Sequence, residues 1–350
     1  MALWTDLIDP AELSGYARES LAEYEARSGT LARWLPNREV ADIIARFVKG
    51  AAGLIPVAMF RAFDAEPEMG ARPGGGRVLI ELPALGLNIP VSEYDQLRSR
   101  GGEVSDQATL DTIYSATDVV VRAVADRIEQ MRGVVLVTGK ATINQSNFVT
   151  EDDFGRAAGH TVTAPALWSV AATDAIGQIQ GWVDTYVTAN GEEPGAMVGN
   201  RRVIRALAKL DQFKTGLIGG ASRPASLEDV NGTLISEGLP PFIPYNRLVN
   251  TGTVGTPVAT KVVADDKLLL LPAPVEDTSD WMGSQLGATF WGRTLTSQDG
   301  EWNIETDEQP GLVAGVYKHP KPPMGLEVIS DAIGLPVLAN ANLSFTATVL

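Results

Sequence analysis

The sequence predicts an α+β fold, and three observations carry that prediction. Residues 105–132 have the apolar spacing of one long amphipathic helix. Strand-forming runs lie on both sides of it, among them Arg77-Val78-Leu79-Ile80-Glu81-Leu82, Lys267-Leu268-Leu269-Leu270-Leu271 and the alternating end Leu343-Ser344-Phe345-Thr346-Ala347-Thr348-Val349-Leu350. No internal repeat orders these pieces into an array.

A chain of 350 residues with 45% hydrophobic and 20% charged residues can bury a core. Its net charge of −15, from 43 acidic and 28 basic residues, leaves no broad positive footprint for phosphates. The same charge repels anionic membranes, and it opposes self-approach, so any self-assembly must rest on apolar or strand contacts that outweigh it. There is no cysteine, which excludes disulfides, thiolate metal sites and cysteine nucleophiles. The start, Met1-Ala2-Leu3-Trp4-Thr5-Asp6, has neither the basic start nor the apolar run of a signal peptide. No apolar stretch approaches the roughly 20 residues of a membrane helix.

Residues 9–50 read as helical pieces. Asp9 caps a helix with Pro10 at its first position, and Val40, Ile43, Ile44 and Phe47 recur at helical spacing. This segment is too poor in apolar residues to fold alone and is expected to pack on something else. Residues 55–63 and 77–82 read as two strands of a long flap. The flap's tip, 64–76, ends in Pro73-Gly74-Gly75-Gly76, and 85–91 extends the second arm. A lone two-stranded ribbon is marginal in water, so it should lie against a neighbour.

In the long helix Ser105 is the expected N-cap. Leu110, Ile113, Thr117, Val120, Val124, Ile128 and Met131 form the buried stripe, with Asp118, Arg122, Asp126, Arg127 and Glu129 on the other face. Val134-Val135-Leu136-Val137 is then expected as a strand, Gly139-Lys140 as a turn and Asn147-Phe148-Val149 as the return. A second amphipathic helix runs from Trp168 through Tyr186 to Asn190-Gly191. Residues 196–199 form a short buried strand and 202–210 a further helix. Strands are expected at 261–263, 268–271 and 288–291. A chain ending on a strand suggests a terminus paired into a sheet.

Motifs for chemistry are scarce. His160 and His319 are far apart and lack other ligands at metal spacing, so they read as surface or loop histidines. Gly133 to Lys140 misses the phosphate-loop pattern. Five residues separate its glycines, Ala141 follows the lysine, and the context runs helix to strand. Gly70-Ala71-Arg72-Pro73-Gly74-Gly75-Gly76 lacks a following helix. Glu151-Asp152-Asp153 reads as a solvated loop, with no matching cation ligands. Trp168, Trp182, Trp281, Trp291 and Trp302 read as core or interface fillers. No G-x-S-x-G elbow occurs.

The order of elements is arm, flap with a glycine-rich tip, long helix, hairpin, mixed domain and returning strands. This order resembles the Hong Kong 97-type phage capsid fold. Particular residues are similar to the lambda-like major capsid protein E family of tailed phages. These are Ile128-Glu129-Gln130-Met131, then Val134 to Val137 with Thr138-Gly139-Lys140-Ala141-Thr142-Ile143, Phe148-Val149, Asp153-Phe154-Gly155-Arg156, and the ending Leu335-Pro336-Val337-Leu338-Ala339 with 343–350. The likeness covers nearly the whole chain and is weakest over 222–310.

The resemblance implies a shell protein that catalyses nothing and holds no cofactor or metal. It implies an N-terminal arm at 1–53 that swaps contacts between subunits, an extended β-hairpin loop at 54–92, and a peripheral domain at 93–165 with a spine helix at 105–132. An axial domain would follow at 166–305, and peripheral-domain C-terminal strands at 306–350. Val57, Met59, Phe60, Arg61, Arg72, Arg77, Val78 and Ile80 would contact neighbouring subunits through the extended loop. The implied partners are other copies, in hexamers and pentamers, a portal protein, and packaged DNA held without specific recognition. Only about 50 residues precede the flap, which implies a separate scaffolding protein. The flap has no lysine for a cross-link, which leaves non-covalent contacts or a decoration (cement) protein to strengthen the shell. The implied location is the virion, with assembly in the host cytoplasm and no membrane partner. An encapsulin-like compartment shell and an acidic α/β enzyme are the competing readings.

Overall fold

A computed structural model describes residues 2–28, 30–49, 76–99, 106–145, 148–215, 225–253, 255–275 and 285–350. The architecture is α+β, organised by two mixed sheets and one helix that touches both. The helix, Asp106–Thr138, has 33 residues, about 50 Å at the usual rise. Its predicted stripe is buried: Ile113, Val120, Val124 and Ile128 are almost wholly covered. It also runs one and a half turns further than expected. Val134 to Val137 continue the helix instead of forming a strand, because Val135 and Leu136 keep its inward face apolar and both are fully buried. Gly139, at φ 72°, ends it in the left-handed conformation that favours glycine. The hairpin that follows is Lys140–Gln145 paired with Phe148–Asp153. Ser105 lies outside the described residues.

The first sheet is built on the 13-residue strand Leu326–Leu338. Its first half pairs with Val313–Lys318 on one side and Asn88–Val91 on the other. Its second half pairs with Gly287–Gly292 and with Ala84–Leu85. Ala2–Leu3 and Asn37–Glu39 add the outer strands. The second sheet has the order Phe242–Pro244, Ala196–Gly199, Lys267–Leu271, Phe345–Thr348, Thr161–Thr163. The chain does end on a paired strand, as expected. That strand belongs with 196–199 and 267–271, whereas 313–318 and 326–338 belong to the first sheet.

Several expectations are corrected. Residues 44–49 are a strand, Ile44–Lys49, instead of a helix. A short run with β-branched and aromatic residues fits either period, and pairing with Gly76–Glu81 decides it. The expected partner of 77–82, the run 55–63, lies outside the described residues, and Ile44–Lys49 is the partner observed. Residues 84–91 do not extend the flap but join the first sheet. The N-terminal helix is Pro10–Ser28. It lies along the long helix and on Val313–Lys318 of its own chain. Tyr16 and Ser20 donate to Asp118, and Tyr24 donates to Asp126. Asp118 and Asp126, placed on the solvent face by periodicity, are therefore half-covered.

Trp168, Trp182, Trp291 and Trp302 are buried as expected, and Trp281 lies outside the described residues. The second helix, Ala175–Asn190, ends at Gly191 with φ 77°. Trp168 stays in the preceding loop, where it stacks on Trp182. Gly315 faces Trp302 so closely that an added Cβ would sit 2.3 Å from the indole. Gly315→Ala is therefore expected to destabilise the unassembled subunit by about 1–3 kcal/mol through overpacking. Denaturant titration would measure this, with a reduced midpoint at unchanged slope.

Candidate assembly surfaces and the buried junction behind them

Of the residues expected to contact neighbours, Val57, Met59, Phe60, Arg61 and Arg72 lie outside the described residues. Arg77 and Val78 are placed on the strand Gly76–Glu81. Ile80 is corrected: at 3% exposure it belongs to the subunit's own core, paired with the buried Ala45. The ribbon alternates, so the outward residue is its neighbour Leu79, 66% exposed. Each strand of this ribbon hydrogen-bonds only to the other among the described strands. An apolar outward residue and unpaired strand edges make it a surface suited to a partner chain. A second apolar face is the short helix Glu93–Ser99, where Tyr94 and Leu97 are exposed.

Behind these surfaces lies a buried polar junction that periodicity did not reveal. Glu129 was assigned to the solvent face, yet Glu129 and Arg132 are both 0% exposed. The Arg132 guanidinium donates to Glu25 at 2.6 Å, Asn37 at 2.6 Å, Thr289 at 2.9 Å, and Thr30 and Glu129 at 3.2 Å each. Glu129 in turn accepts from the Thr30 hydroxyl at 2.7 Å, the Leu31 backbone N–H at 2.8 Å and the Tyr245 hydroxyl at 2.5 Å. One ion pair thus ties the long helix to the N-terminal helix, the Thr30 turn, the strands Asn37–Glu39 and Gly287–Gly292, and the loop carrying Tyr245.

Burial alone would raise the Glu129 carboxyl. The charge of Arg132 and the three hydrogen bonds outweigh it and hold the carboxyl below its ordinary value. Burial and the adjacent carboxylate push the Tyr245 hydroxyl well up, so it stays protonated and donates. Beside the junction, Arg247 pairs with Asp126 at 2.8 Å and lies over the Tyr24 ring. The sequence signal available was i,i+3 spacing of opposite charges at the covered end of a helix, and spacing alone does not distinguish it from a surface pair.

A second buried group caps the same helix. Arg156 donates to the carbonyls of Leu136 and Val137 at the helix end, and to the hydroxyls of Ser344 and Thr346. Burial lowers it to about 10, which leaves it charged at neutral pH and well placed against a helix C-terminus. His160 is corrected from surface to core. It is 2% exposed, packed against Phe345 and Tyr186, and its Nδ1 has no hydrogen-bond partner. Burial, with help from the Arg156 charge, pushes its imidazole below the ordinary value despite nearby backbone groups. His319 pairs with Glu327 at 2.9 Å.

The acidic run 151–153 lies on a strand, where Glu151 and Asp153 pair with Lys140. That pairing explains the Gly139-Lys140 turn without a nucleotide. Among the described residues no cluster of three or more His, Asp or Glu is placed to hold a metal ion. No described helix is long and apolar enough to cross a membrane.

No family model matches the sequence, and no curated protein matches it. Solved structures do. One is a prophage capsid protein from E. coli CFT073, similar at TM-score 0.65 and 14% identity over 98% of this chain and 99% of that one. Another is a phage-related protein from Bordetella bronchiseptica RB50, at TM-score 0.57 and 13% identity over 99% and 98%. The chain therefore has the Hong Kong 97-type α+β fold that its element order predicts.

Two outcomes follow for the unassembled subunit. Arg132→Met is expected to cost about 3–5 kcal/mol by leaving Glu129 and Glu25 buried without their cation, read as a lower midpoint in urea. His160 binds its proton less readily folded than unfolded. Its contribution is full above the ordinary histidine value, about 6.5, and is lost as pH falls below that. The melting temperature should therefore drop between pH 7.5 and 5.5, and the drop should be smaller in His160→Phe.

Proposed function

We propose that the chain is the major capsid protein of a tailed double-stranded DNA bacteriophage, assembling as pentamers and hexamers into the icosahedral head shell. The observation that carries this reading is the end-to-end likeness of fold to a prophage capsid protein, over 98% of this chain and 99% of that one. The outward ribbon supports it, since its edges, unpaired among the described strands, and its exposed Leu79 suit a neighbouring copy better than water. Kinship with the lambda-like major capsid protein E family belongs to the same proposal.

In this reading residues 54–92 include the extended loop, 93–165 the peripheral domain with its spine helix, and 166–305 most of the axial domain. The second sheet forms the axial core, and the last strand returns into it. The segment 1–53 is the N-terminal arm that swaps contacts between subunits, anchored on its own subunit through Pro10–Ser28. A separate scaffolding protein, a portal protein and a decoration protein are the expected partners. DNA is enclosed without specific recognition, which suits a chain of net charge −15. The shell resides in the virion after assembly in the host cytoplasm. Its role is structural rather than enzymatic.

Negative-stain imaging of the purified chain, alone and co-expressed with the small proteins encoded beside it, tests the proposal. Closed angular shells or rings of five and six are expected. Uniform monomers under both conditions, at every concentration, would overturn it. Deleting residues 64–76 should leave the melting temperature within a few degrees of the parent chain yet abolish closed shells. Normal particles from that deletion would remove the loop from the assembly mechanism.

A further inference from the structure

The strand Ala196–Gly199 is buried along its whole length and runs through the second sheet between Phe242–Pro244 and Lys267–Leu271. Charge of opposite sign stands at its two ends. Before it come Glu192 and Glu193, both exposed, with Asp184 exposed on the helix that leads to them. After it come Arg201 and Arg202, then Arg205 and Lys209, all exposed. About 13 Å of strand separates the two groups, more than a Debye length at physiological salt.

Both ends are held in place. On the acidic side Gly191 turns the chain with a left-handed φ of 77°, Pro194 is buried, and the Gly195 N–H donates to the Leu271 carbonyl at 2.9 Å. On the basic side the Asn200 side chain accepts from the Arg202 N–H, and Asn246 accepts from the Arg201 N–H at 2.8 Å. None of these seven charged side chains has an ion-pair partner among the described residues. By contrast, the neighbouring lysines Lys214, Lys261 and Lys267 are neutralised within the subunit, by Asp211, Asp265 and Asp266. An apolar contact is available beside the basic group: Val170 is 59% exposed, next to Ala171, whose carbonyl accepts from the Asp211 N–H just past Lys209.

We infer that these two ends meet between copies of this chain, the basic end of one docking on the acidic end of the next. Fixed patches of opposite sign at opposite ends of one rigid sheet make a head-to-tail contact, which leaves a free end at every step and closes as a ring when the rotation allows. A chain of net charge −15 needs such local complementarity, because bulk charge repels its copies at every other approach. This inference rests on the assembly reading above and specifies which surface joins subunits within a ring.

Charge reversal tests it. Arg201→Glu, Arg202→Glu and Arg205→Glu together make both ends acidic, and Glu192→Lys with Glu193→Lys makes both basic. Each variant alone should raise the concentration threshold for assembly at least about tenfold, since like charges then face each other. The five changes combined should restore it. A mixture of the two reversed variants adds a sharper readout: copies can alternate around a ring of six but not around a ring of five. Imaging should therefore show six-membered rings and open sheets or tubes without closed shells. Circular dichroism and melting temperature confirm that each variant is folded, and the restored combined variant excludes misfolding as the cause.

Wild-type shells together with reversed variants that assemble at the normal threshold would overturn this inference while leaving the assembly reading intact. Reversed variants that assemble normally but release a bound DNA duplex would also overturn it, and would reassign the basic end to nucleic acid. A wild-type chain that never assembles would overturn both readings.

Discussion

The ion pair between Glu129 and Arg132 is the constraint on which the rest of the subunit depends. A guanidinium at zero exposure is tolerated only if surrounding groups replace most of the water it has lost. Arg132 draws those groups from Glu25, Thr30, Asn37 and Thr289, which are remote from it in sequence. Glu129 recruits Tyr245 from the far side. Apolar packing alone would let the N-terminal helix slide along the long helix, because apolar contacts are non-directional. Directional bonds to the pair fix its register, hold the first sheet against the same helix through Asn37 and Thr289, and hold there the loop that carries Tyr245 out of the second sheet.

The second consequence concerns order of formation. The long strand Leu326–Leu338 holds the first sheet together, and Phe345–Thr348 sits between Lys267–Leu271 and Thr161–Thr163 in the second. Neither sheet is complete until the last 25 residues arrive. The Arg156 cap on the long helix also waits for Ser344 and Thr346. Such non-local pairing makes folding slow relative to helical folds of similar size. It also delays completion of the second sheet until its last strand is made.

What could be read from the sequence follows from what periodicity measures. It located the long helix, because Ile113, Val120, Val124 and Ile128 form a continuous apolar stripe. It located Ala196–Gly199, Lys267–Leu271 and the final strand, because wholly apolar or alternating runs bounded by turn residues have one reading. It erred where two periods fit, at Ile44–Lys49 and Val134 to Val137. There the answer came from which partner was present: Gly76–Glu81 in the first case and the continuing helix core in the second. Glu129 and His160 could not be found this way. A polar residue counts as outward in any periodic pattern, and only the distant groups that satisfy it show that it is buried. The flap reading was half right for a related reason. Gly76–Glu81 is a ribbon strand, but 84–91 reads equally well as an edge strand, and the free side of Leu326–Leu338 claims it.

Charge and burial act on different parts of the assembly problem. Net charge sets a repulsion that grows as copies approach, and it carries no geometry. The outward Leu79 and the ribbon edges supply attraction, yet apolar area alone permits many orientations. Geometry has to come from features that are both directional and rigid. In this chain those features are strand edges and the oppositely charged ends of one buried strand. The buried junction matters again here: a surface charge can specify an angle between subunits only if its sheet cannot turn within the subunit. Arg132 and Glu129 oppose that motion by bonding one helix to Asn37 and Thr289 of the first sheet and to Tyr245, which directly follows the strand Phe242–Pro244 of the second. Two charges with no exposure thereby determine how accurately the exposed ones are aimed.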